Sequence, residues 1–303
     1  MNTIPIEQNA KRQLQRLAAQ RQLYATAKML FGWQIILSGP VVVVLAFSII
    51  RVPQLAPYAA LWGILVSLSD VLWLTPWQKR LRNKAARVQE LFDCDVLVLP
   101  WDDLKAGKRP EPELIKEQAD KYKKRAASMP SLSNWYGKEV GFLPLHVARL
   151  ACQRSNCWWD AKQRRRYAIL VVVGVSAVLL LLLYLAMGNG FTLADFVLKV
   201  VAPVSPALLL GCRQFSEQME AALRLDTLKE HAEGLWNDAL NGGQELEITR
   251  RARGLQNEIL ENRKCSPLVF DRIFKRLRRD YEVQMNHGIA EFVAEAKQKL
   301  GLP

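Results

Sequence analysis

The sequence predicts a mainly α-helical integral membrane protein, with four transmembrane helices in two hairpins and a helical cytoplasmic region. Half of its 303 residues are hydrophobic and 23% are charged, but the two kinds of residue lie in separate blocks. Four apolar blocks approach the roughly 20 residues that a helix needs to cross a bilayer. Lysine and arginine collect outside these blocks, and the polar stretches carry apolar residues at helical spacing.

Five regions follow from this pattern. They are a cytoplasmic N-terminal helix at 1–29, a first transmembrane hairpin at 30–76, a basic cytoplasmic region with a short strand-like segment at 77–166, a second transmembrane hairpin at 167–212, and cytoplasmic C-terminal helices at 213–303.

The four predicted spans differ in polarity. Segments 30–50 and 168–187 contain no ionisable residue, and segment 56–74 contains one acid, Asp70. Segment 191–212 contains two ionisable residues and two prolines, so a buried or interfacial helix is the alternative there. Without a span at this point, however, the basic C-terminus would lie across the membrane from the other basic regions.

The distribution of lysine and arginine predicts the orientation of the chain. Of 42 such residues, five lie in 1–29, twenty in 77–167 and fifteen in 213–303, which leaves only Arg51 and Lys199. Because basic residues near span ends favour the cytoplasm, both termini and the central region are expected on that side. The net charge of +13 is then explained by topology and contact with anionic lipid, and no DNA or RNA partner is expected.

The sequence pattern predicts mostly helices in the polar regions. The run DVLVLPW at 95–101 is the exception, because it is short and apolar and indicates a strand or a buried loop. A helix is expected at 113–127. Asn241–Gly243 should end a long helix that continues the fourth span, and Ser266–Pro267 should separate the last two helices.

Residues inside the spans are candidates for a pore or a gate. Asp195 and Lys199 are four residues apart and share a helix face, while Pro203 and Pro206 would free backbone carbonyls in the same helix. Asp70 is the second candidate, because charges within a bilayer usually face other helices or water. The alternative is that the two acids lie near the interfaces and only cap or snorkel.

Aromatic and basic residues flank two of the predicted spans. This composition is typical of anchors at the membrane–water interface. The predicted anchors are Trp77 after the second span and Trp158, Trp159, Arg164, Arg165 and Arg166 before the third.

The sequence offers no convincing catalytic or metal site. Cys152 and Cys157 have no second ligand pair nearby, which favours packing cysteines over zinc ligands. The three histidines are scattered, and neither common phosphate-binding loop motif occurs. We therefore expect no enzyme activity, no catalytic residues, no metal and no cofactor.

Four stretches carry a family resemblance: IPIEQNAKRQLQRLAAQRQLYATAK near the start, CDVLVLPW, ARLACQRSNCWWDAKQRRRYA, and LQNEILENRKCSPLVFDRIFKRLRRDYEVQMN near the end. Together they resemble the SMODS-associating four-transmembrane effectors. The resemblance spans nearly the whole chain. It implies a pore-forming CBASS effector of the bacterial inner membrane, which oligomerises and is activated by a cyclic oligonucleotide from a neighbouring synthase.

If such a ligand docks on the cytoplasmic side, Arg149 and Arg154 are the candidate contacts, because arginine forks suit phosphates. The alternative function is a non-conducting membrane scaffold or sensor that recruits partners through its cytoplasmic helices. An enzyme acting on lipid or nucleotide is a further alternative, which the lack of a nucleophile–base pair disfavours. A transporter would normally show repeated halves.

Overall fold

The computed structural model describes the backbone of residues 2–125, 132–188 and 190–302. Side chains are described in the same ranges, except at positions 46, 50, 51, 53, 56, 199, 203 and 271–280. Within this part of the chain the structure is helical and contains no strand, as the sequence predicts for the fold class.

The described residues form twelve α-helices, α1 to α12 in chain order. They are α1 (Ile4–Glu7), α2 (Lys11–Ser38), α3 (Pro40–Arg51), α4 (Ala56–Ser69), α5 (Thr75–Val96), α6 (Asp103–Ala106), α7 (Pro112–Arg125), α8 (Leu145–Gly188), α9 (Leu193–Phe196), α10 (Ala202–Leu240), α11 (Glu245–Cys265) and α12 (Asp271–Leu300). Two π-helical turns, Asp70–Leu74 and Val197–Val201, join α4 to α5 and α9 to α10.

Among the residues that the structure describes, three helical segments are long and apolar enough to cross a membrane: Lys11–Ile49, Pro57–Val96 and Leu145–Gly188. They contain 39, 40 and 44 residues, so each exceeds the roughly 20 residues of a span and must extend beyond the hydrocarbon core. They include the first three predicted spans. The fourth, 191–212, is helical from Leu193, but it contains two side chains outside the described residues, and its role as a span stays a prediction.

The chain divides into two compact units. Unit 1 comprises Met1–Thr26, Leu81–Arg164 and Ala221–Pro303, and unit 2 comprises Ala27–Arg80 and Arg165–Glu220. The division separates polar from apolar sequence, since unit 2 contains all four predicted spans. Four long helices, α2, α5, α8 and α10, contribute residues to both units.

Unit 1 has a hydrophobic core built from most of its helices. Leu17 of α2, Phe92 of α5, Val147 of α8, Leu235 of α10 and Ile259 of α11 are all nearly inaccessible to solvent. Burying one such side chain stabilises a fold by about 1.5–3 kcal/mol. The core therefore joins segments that lie far apart in sequence.

The N-terminal segment is fixed to unit 1 by side-chain hydrogen bonds. Gln8 Nε2 donates to the carbonyl of Tyr136 at 3.1 Å, and the N–H of Tyr136 donates to Gln8 Oε1 at 2.7 Å. Asn2 Nδ2 donates to the carbonyls of Val140 and Leu143. Ile4 is fully buried between these contacts, so the first residues form part of the folded body.

Of the two alternatives that the sequence leaves open at 95–101, the structure shows the loop and not the strand: α5 runs to Val96, and a loop in which Leu97 and Leu99 are buried follows. The N–H groups of Leu97 and Leu99 donate back to carbonyls of the last turn of α5, each at 2.8 Å. The carbonyls of Leu97 and Val98 accept from Arg149. These bonds occupy the groups that a strand would use for pairing, which is why the apolar run stays a loop.

Unit 2 has its own small apolar core. Val42 of α3, Leu182 of α8, Val200 of the second π-turn and Val204 of α10 are buried together, and Trp62 of α4 packs against them. All four predicted spans therefore contribute to one apolar cluster, as expected of segments that fold side by side.

Candidate functional site

Asp70, the acid of the second predicted span, is held by a chain of hydrogen bonds within unit 2. Its Oδ1 accepts from Gln34 Nε2 at 2.7 Å and from Thr75 Oγ1 at 2.8 Å. Gln34 Oε1 in turn accepts from Gln78 Nε2 at 3.0 Å. Gln34 is only 5% exposed, so this polar chain joins α2 to α5 inside otherwise apolar sequence. The donors offset part of the cost of a carboxylate there.

Each predicted hairpin contains one π-turn, and both turns include a candidate pore residue. Asp70 opens the turn Asp70–Leu74, and Lys199 is the central residue of Val197–Val201. In the first turn the N–H of Thr75 donates to the carbonyl of Asp70, five residues earlier. Such turns are rare within α-helices and occur often at functional positions.

Asp195 caps a helix. Asp195 and Thr192 form a capping box at the start of α9, in which Thr192 Oγ1 donates to Asp195 Oδ2 at 2.7 Å and the N–H of Asp195 donates to Thr192 Oγ1 at 3.1 Å. This is the capping role that the sequence left open as the alternative. The side chain of Lys199 lies outside the described residues, so an Asp195–Lys199 pair stays untested.

Pro206 lies within α10, and the side chain of the other candidate proline, Pro203, lies outside the described residues. Proline has no N–H to donate to the carbonyl four residues earlier, which here belongs to Ala202. Ser205 Oγ donates to that carbonyl at 2.8 Å instead. The helix therefore continues through Pro206 with the freed carbonyl hydrogen-bonded, as apolar surroundings require.

Arg149, a candidate ligand contact, is buried in unit 1 with only 5% of its surface exposed. Its Nε and Nη2 donate to the carbonyls of Leu97 and Val98 at 2.5 and 2.8 Å, and its Nη1 donates to Thr249 Oγ1 at 2.9 Å. All three nitrogens are thus engaged within the chain. In this arrangement Arg149 holds the loop after α5 against α8 and α11.

Arg154, the second candidate contact, is more accessible. Its side chain is 20% exposed, and its Nε donates to Glu233 Oε1 at 2.9 Å. The guanidinium carbon lies 4.7 Å from the centre of the Phe292 ring, within cation–π range. Arg154 therefore links α8 to α10 and α12.

A buried network of charged and amide groups lies between α5 and α11. Glu90 and Asp93 are fully buried on α5. Arg253 Nη2 donates to Glu90 Oε1 at 2.6 Å, and Arg263 Nη1 donates to Asp93 Oδ2 at 2.5 Å. Gln256 Nε2 lies between the two pairs and donates to both carboxylates, at 2.9 and 3.0 Å. Two anions and two cations thus compensate each other in the core.

The third donor to Asp93 is Tyr136, whose hydroxyl lies 2.8 Å from Asp93 Oδ1 and accepts from Asn156 Nδ2. Burial, reinforced by the negative charge of Asp93, raises the pKa of Tyr136 well above its usual value. Burial alone would lower the pKa of Arg263, but the carboxylates of Asp93 and Glu90 outweigh it and raise the pKa. Tyr136 therefore stays a protonated donor, and Arg263 a cation, over the physiological range.

An open cleft of about 630 Å³ lies on unit 1 beside the N-terminal segment. Glu7, Arg12 and Asp95 are among its lining residues, and Arg12 Nη2 lies 3.0 Å from Asp95 Oδ2. Two carboxylates therefore surround one accessible guanidinium. This balance of charge disfavours the cleft as a phosphate site.

Trp158 and Trp159, predicted as interface anchors, both pack edge-on against Tyr281 of α12, with ring centres 6.5 and 5.9 Å away. Lys162 Nζ lies 4.9 Å from the centre of the Trp158 ring. The structure thus gives both tryptophans a partner within unit 1, and their role as interface anchors stays a prediction.

The remaining predicted anchors differ in exposure. Arg164 is buried, and its Nη1 donates to the carbonyl of Pro267 at 2.9 Å. Trp77 and Arg166 are exposed, and Arg165 is half-buried. An interface role for these three stays a prediction, whereas Arg164 contacts the segment between α11 and α12.

Comparison with known proteins identifies the family. The sequence matches the SMODS-associating 4TM effector domain over residues 2–292. The chain belongs to this family. A relative in Bacillus cereus (strain VD146), named "Probable CBASS effector molecule", is 25% identical over 232 residues, which cover 73% of this chain and 76% of the relative. No solved structure matches the chain. Family and relative together indicate a CBASS effector with a 4TM domain, and they fit a helical membrane protein.

Two features of this 4TM effector were not predicted from its sequence. Glu90 and Asp93 stand in the run QELFDCDV, where acids three apart on a helix that also carries buried Phe92 could have indicated a polar strip facing the core. Gln34 is the other case, since an amide inside an apolar span is itself a sign of an interhelical hydrogen bond.

Proposed function

We propose that this CBASS effector oligomerises and permeabilises the bacterial inner membrane when a nucleotide second messenger activates it. The observation that carries the proposal is the polar chain Gln34–Asp70–Thr75 inside apolar segments, together with a π-turn in each hairpin. Polar and irregular backbone at membrane depth is tolerated where it faces protein or water. Both features favour spans that line or gate a path over spans that only anchor the protein.

The proposal includes oligomerisation because the predicted spans of a single chain pack against one another through apolar side chains. The cluster of Val42, Leu182, Val200 and Val204 brings apolar side chains from three of the predicted spans together, and Trp62 adds the other. An aqueous path therefore requires either a rearrangement within this cluster or a surface shared by several chains. Homo-oligomers with closed symmetry are the usual solution.

For the activating ligand, Arg154 is the better of the two proposed contacts. Its guanidinium is partly exposed, whereas Arg149 is buried and bonded at all three nitrogens. A phosphate that reached Arg154 would compete with Glu233 and so would act on the link between α8 and α10. A ligand shifts an equilibrium only through different affinity for the two states, which such competition supplies.

The proposed setting follows from charge and composition. Both termini and the basic central region lie in the cytoplasm, on the side where a cyclic oligonucleotide from a neighbouring synthase would be made. The effector acts on the lipid bilayer and on copies of itself, with no catalytic step, metal or cofactor and without DNA or RNA.

Dye release from liposomes tests the proposal. Purified effector is reconstituted into vesicles containing anionic lipid, and a panel of cyclic di- and trinucleotides is added outside and inside. One member of the panel is expected to release the dye, and linear dinucleotides of the same bases serve as the matched control. Tight binding of a cyclic nucleotide without any release would contradict permeabilisation and favour the scaffold or sensor alternative.

A further inference from the structure

The hydrogen bond between Thr75 and Asp70 depends on the π-turn that it spans. Thr75 follows Asp70 by five residues, and Thr75 Oγ1 lies 2.8 Å from Asp70 Oδ1. In an α-helix each residue turns the chain by about 100°, so side chains five apart point about 140° away from each other. Residues three and four apart are neighbours on an α-helix, and residues five apart are not. This bond therefore exists only while Asp70–Leu74 keeps the π register.

The same carboxyl oxygen is held from a second helix. Gln34 of α2 donates to Asp70 Oδ1 at 2.7 Å and accepts from Gln78 of α5 at 3.0 Å. Gln34 thus contacts residues on both sides of the π-turn, since Asp70 opens the turn and Gln78 follows it. A change of register between Asp70 and Gln78 would break at least one of these two bonds.

A change of register would have a large effect on the segment beyond the turn. A π-turn carries one residue more per turn than the α-helix around it, so conversion to α-helix rotates the segments before and after the turn relative to each other by about 100° and shifts them by about 1.5 Å. Because the later part of α5 carries Glu90 and Asp93 in the core of unit 1, the displaced residues are those of α4 and of the first turns of α5, where Trp77 is exposed. Such a rotation would present a different face of α5 to neighbouring chains or to lipid.

We propose that Gln34, Asp70 and Thr75 form a latch that holds the Asp70–Leu74 π-turn, and that release of this latch opens the path through the membrane. Gln34 and Thr75 are positioning residues, which act by fixing Asp70 and the register of α5. The opening step rests on the proposed permeabilising function, whereas the dependence of the π register on these bonds does not.

Two substitutions of the same residue, Thr75→Val and Thr75→Ser, test the latch. Valine keeps the shape of threonine and removes the donor, and serine keeps the donor. Ser48→Ala is the matched control, because the Ser48 hydroxyl is bonded only along its own helix, to the carbonyl of Val44 at 2.9 Å. Loss of one side-chain hydrogen bond within a membrane segment should raise nucleotide-independent dye release about three- to tenfold in Thr75→Val, if this bond contributes as much as hydrogen bonds between membrane helices do. Thr75→Ser and Ser48→Ala should match wild type.

A distance measurement reports the register without relying on leakage. Spin labels are placed at Met29→Cys on α2 and Lys79→Cys on α5, both exposed in unit 2, in the full chain with Cys212→Ser and Cys265→Ser. Thr75→Val should move the distance distribution, and Thr75→Ser should leave it unchanged.

The outcomes separate the latch from the proposed function. An unchanged distance in Thr75→Val would overturn the latch, whatever the leakage. A moved distance without raised leakage, in vesicles where a cyclic nucleotide does release dye from wild type, would overturn its gating role. Absence of release from wild type with every nucleotide and from Thr75→Val would refute permeabilisation and the gating role with it, while the distances still decide whether the latch holds the register.

Discussion

Asp93→Asn should destabilise the effector more strongly than almost any other single change of similar size. The substitution keeps the volume of the side chain but removes the charge that compensates Arg263, whose Nη1 lies 2.5 Å from Asp93 Oδ2. Arg263 would then be a buried cation without its partner, since its side chain is only 9% exposed. Breaking a buried ion pair on one side costs about 3–5 kcal/mol.

The expected effect is measurable as a shift in melting temperature. For a body of the size of unit 1, one kcal/mol corresponds to about 2–4 °C, so the melting temperature should fall by about 6–20 °C. Intrinsic tryptophan fluorescence of the full chain in detergent reports the transition. Asp120→Asn is the matched control, because Asp120 pairs with Lys116 on the surface of α7 and should melt like wild type.

A double variant distinguishes an uncompensated charge from general damage. Asp93→Leu combined with Arg263→Met removes both members of the pair, and such apolar replacement is often close to neutral. The melting temperature of the double variant should therefore be higher than that of the Asp93→Asn variant, even though Tyr136 and Gln256 lose an acceptor. A double variant that melts lower than Asp93→Asn, or an Asp93→Asn protein within about 2 °C of wild type, would refute the view that this pair stabilises unit 1.

Three further predictions concern packing, thiol access and pH. Gly211→Ala should lower the melting temperature, because a Cβ there would lie 2.5 Å from a methyl carbon of Val175, whereas Gly174→Ala meets nothing within 4 Å and should melt like wild type. In the native protein a maleimide should label only the two exposed cysteines, at positions 212 and 265, as counted by intact mass. Stability should fall as pH rises above about 10, because the raised pKa keeps Tyr136 protonated only in the folded state, and Tyr136→Phe should make that fall in melting temperature less steep.

Each of these has an outcome that would contradict it. Equal melting temperatures for the Gly211→Ala and Gly174→Ala variants would show that α8 and α10 do not pack closely where Gly211 faces Val175. Rapid labelling of Cys152 or Cys157 would mean that the core around α8 opens in solution. A pH slope unchanged by Tyr136→Phe would show that ionisation of this hydroxyl is not linked to unfolding.

The sequence predicts the helices and their ends well, because those depend on local signals. α11 ends at Cys265, directly before Ser266–Pro267, and α10 ends at Leu240, before Asn241–Gly243, as expected from the breaking residues. The structure of the run at 95–101 was harder to predict, because the hydrophobic pattern of such a short, mostly apolar stretch does not distinguish a strand from a buried loop. Arg149, which is 52 residues from Leu97 and 51 from Val98, supplies the donors that decide it.

The candidate sites could be predicted only in part, because their chemistry depends on contacts between distant residues. Asp70 was found from the cost of a charge in an apolar segment, but its donor Gln34 lies 36 residues earlier. Asp93 and Arg263 are 170 residues apart, and neither residue alone indicates a pair. Arg149 was proposed from its type and region, and only the fold shows that its donors hold a loop.

Current through a planar bilayer is the measurement that tests the central claim most directly. Purified effector is fused into a bilayer with anionic lipid, and each cyclic nucleotide of the panel is perfused on one side of the bilayer and then on the other, and washed out. We predict stepwise currents that appear with the nucleotide, disappear on washout, and occur without nucleotide in Thr75→Val. A flat trace, with the protein shown to be inserted and the nucleotide shown to be bound, would contradict the claim that this effector permeabilises membranes.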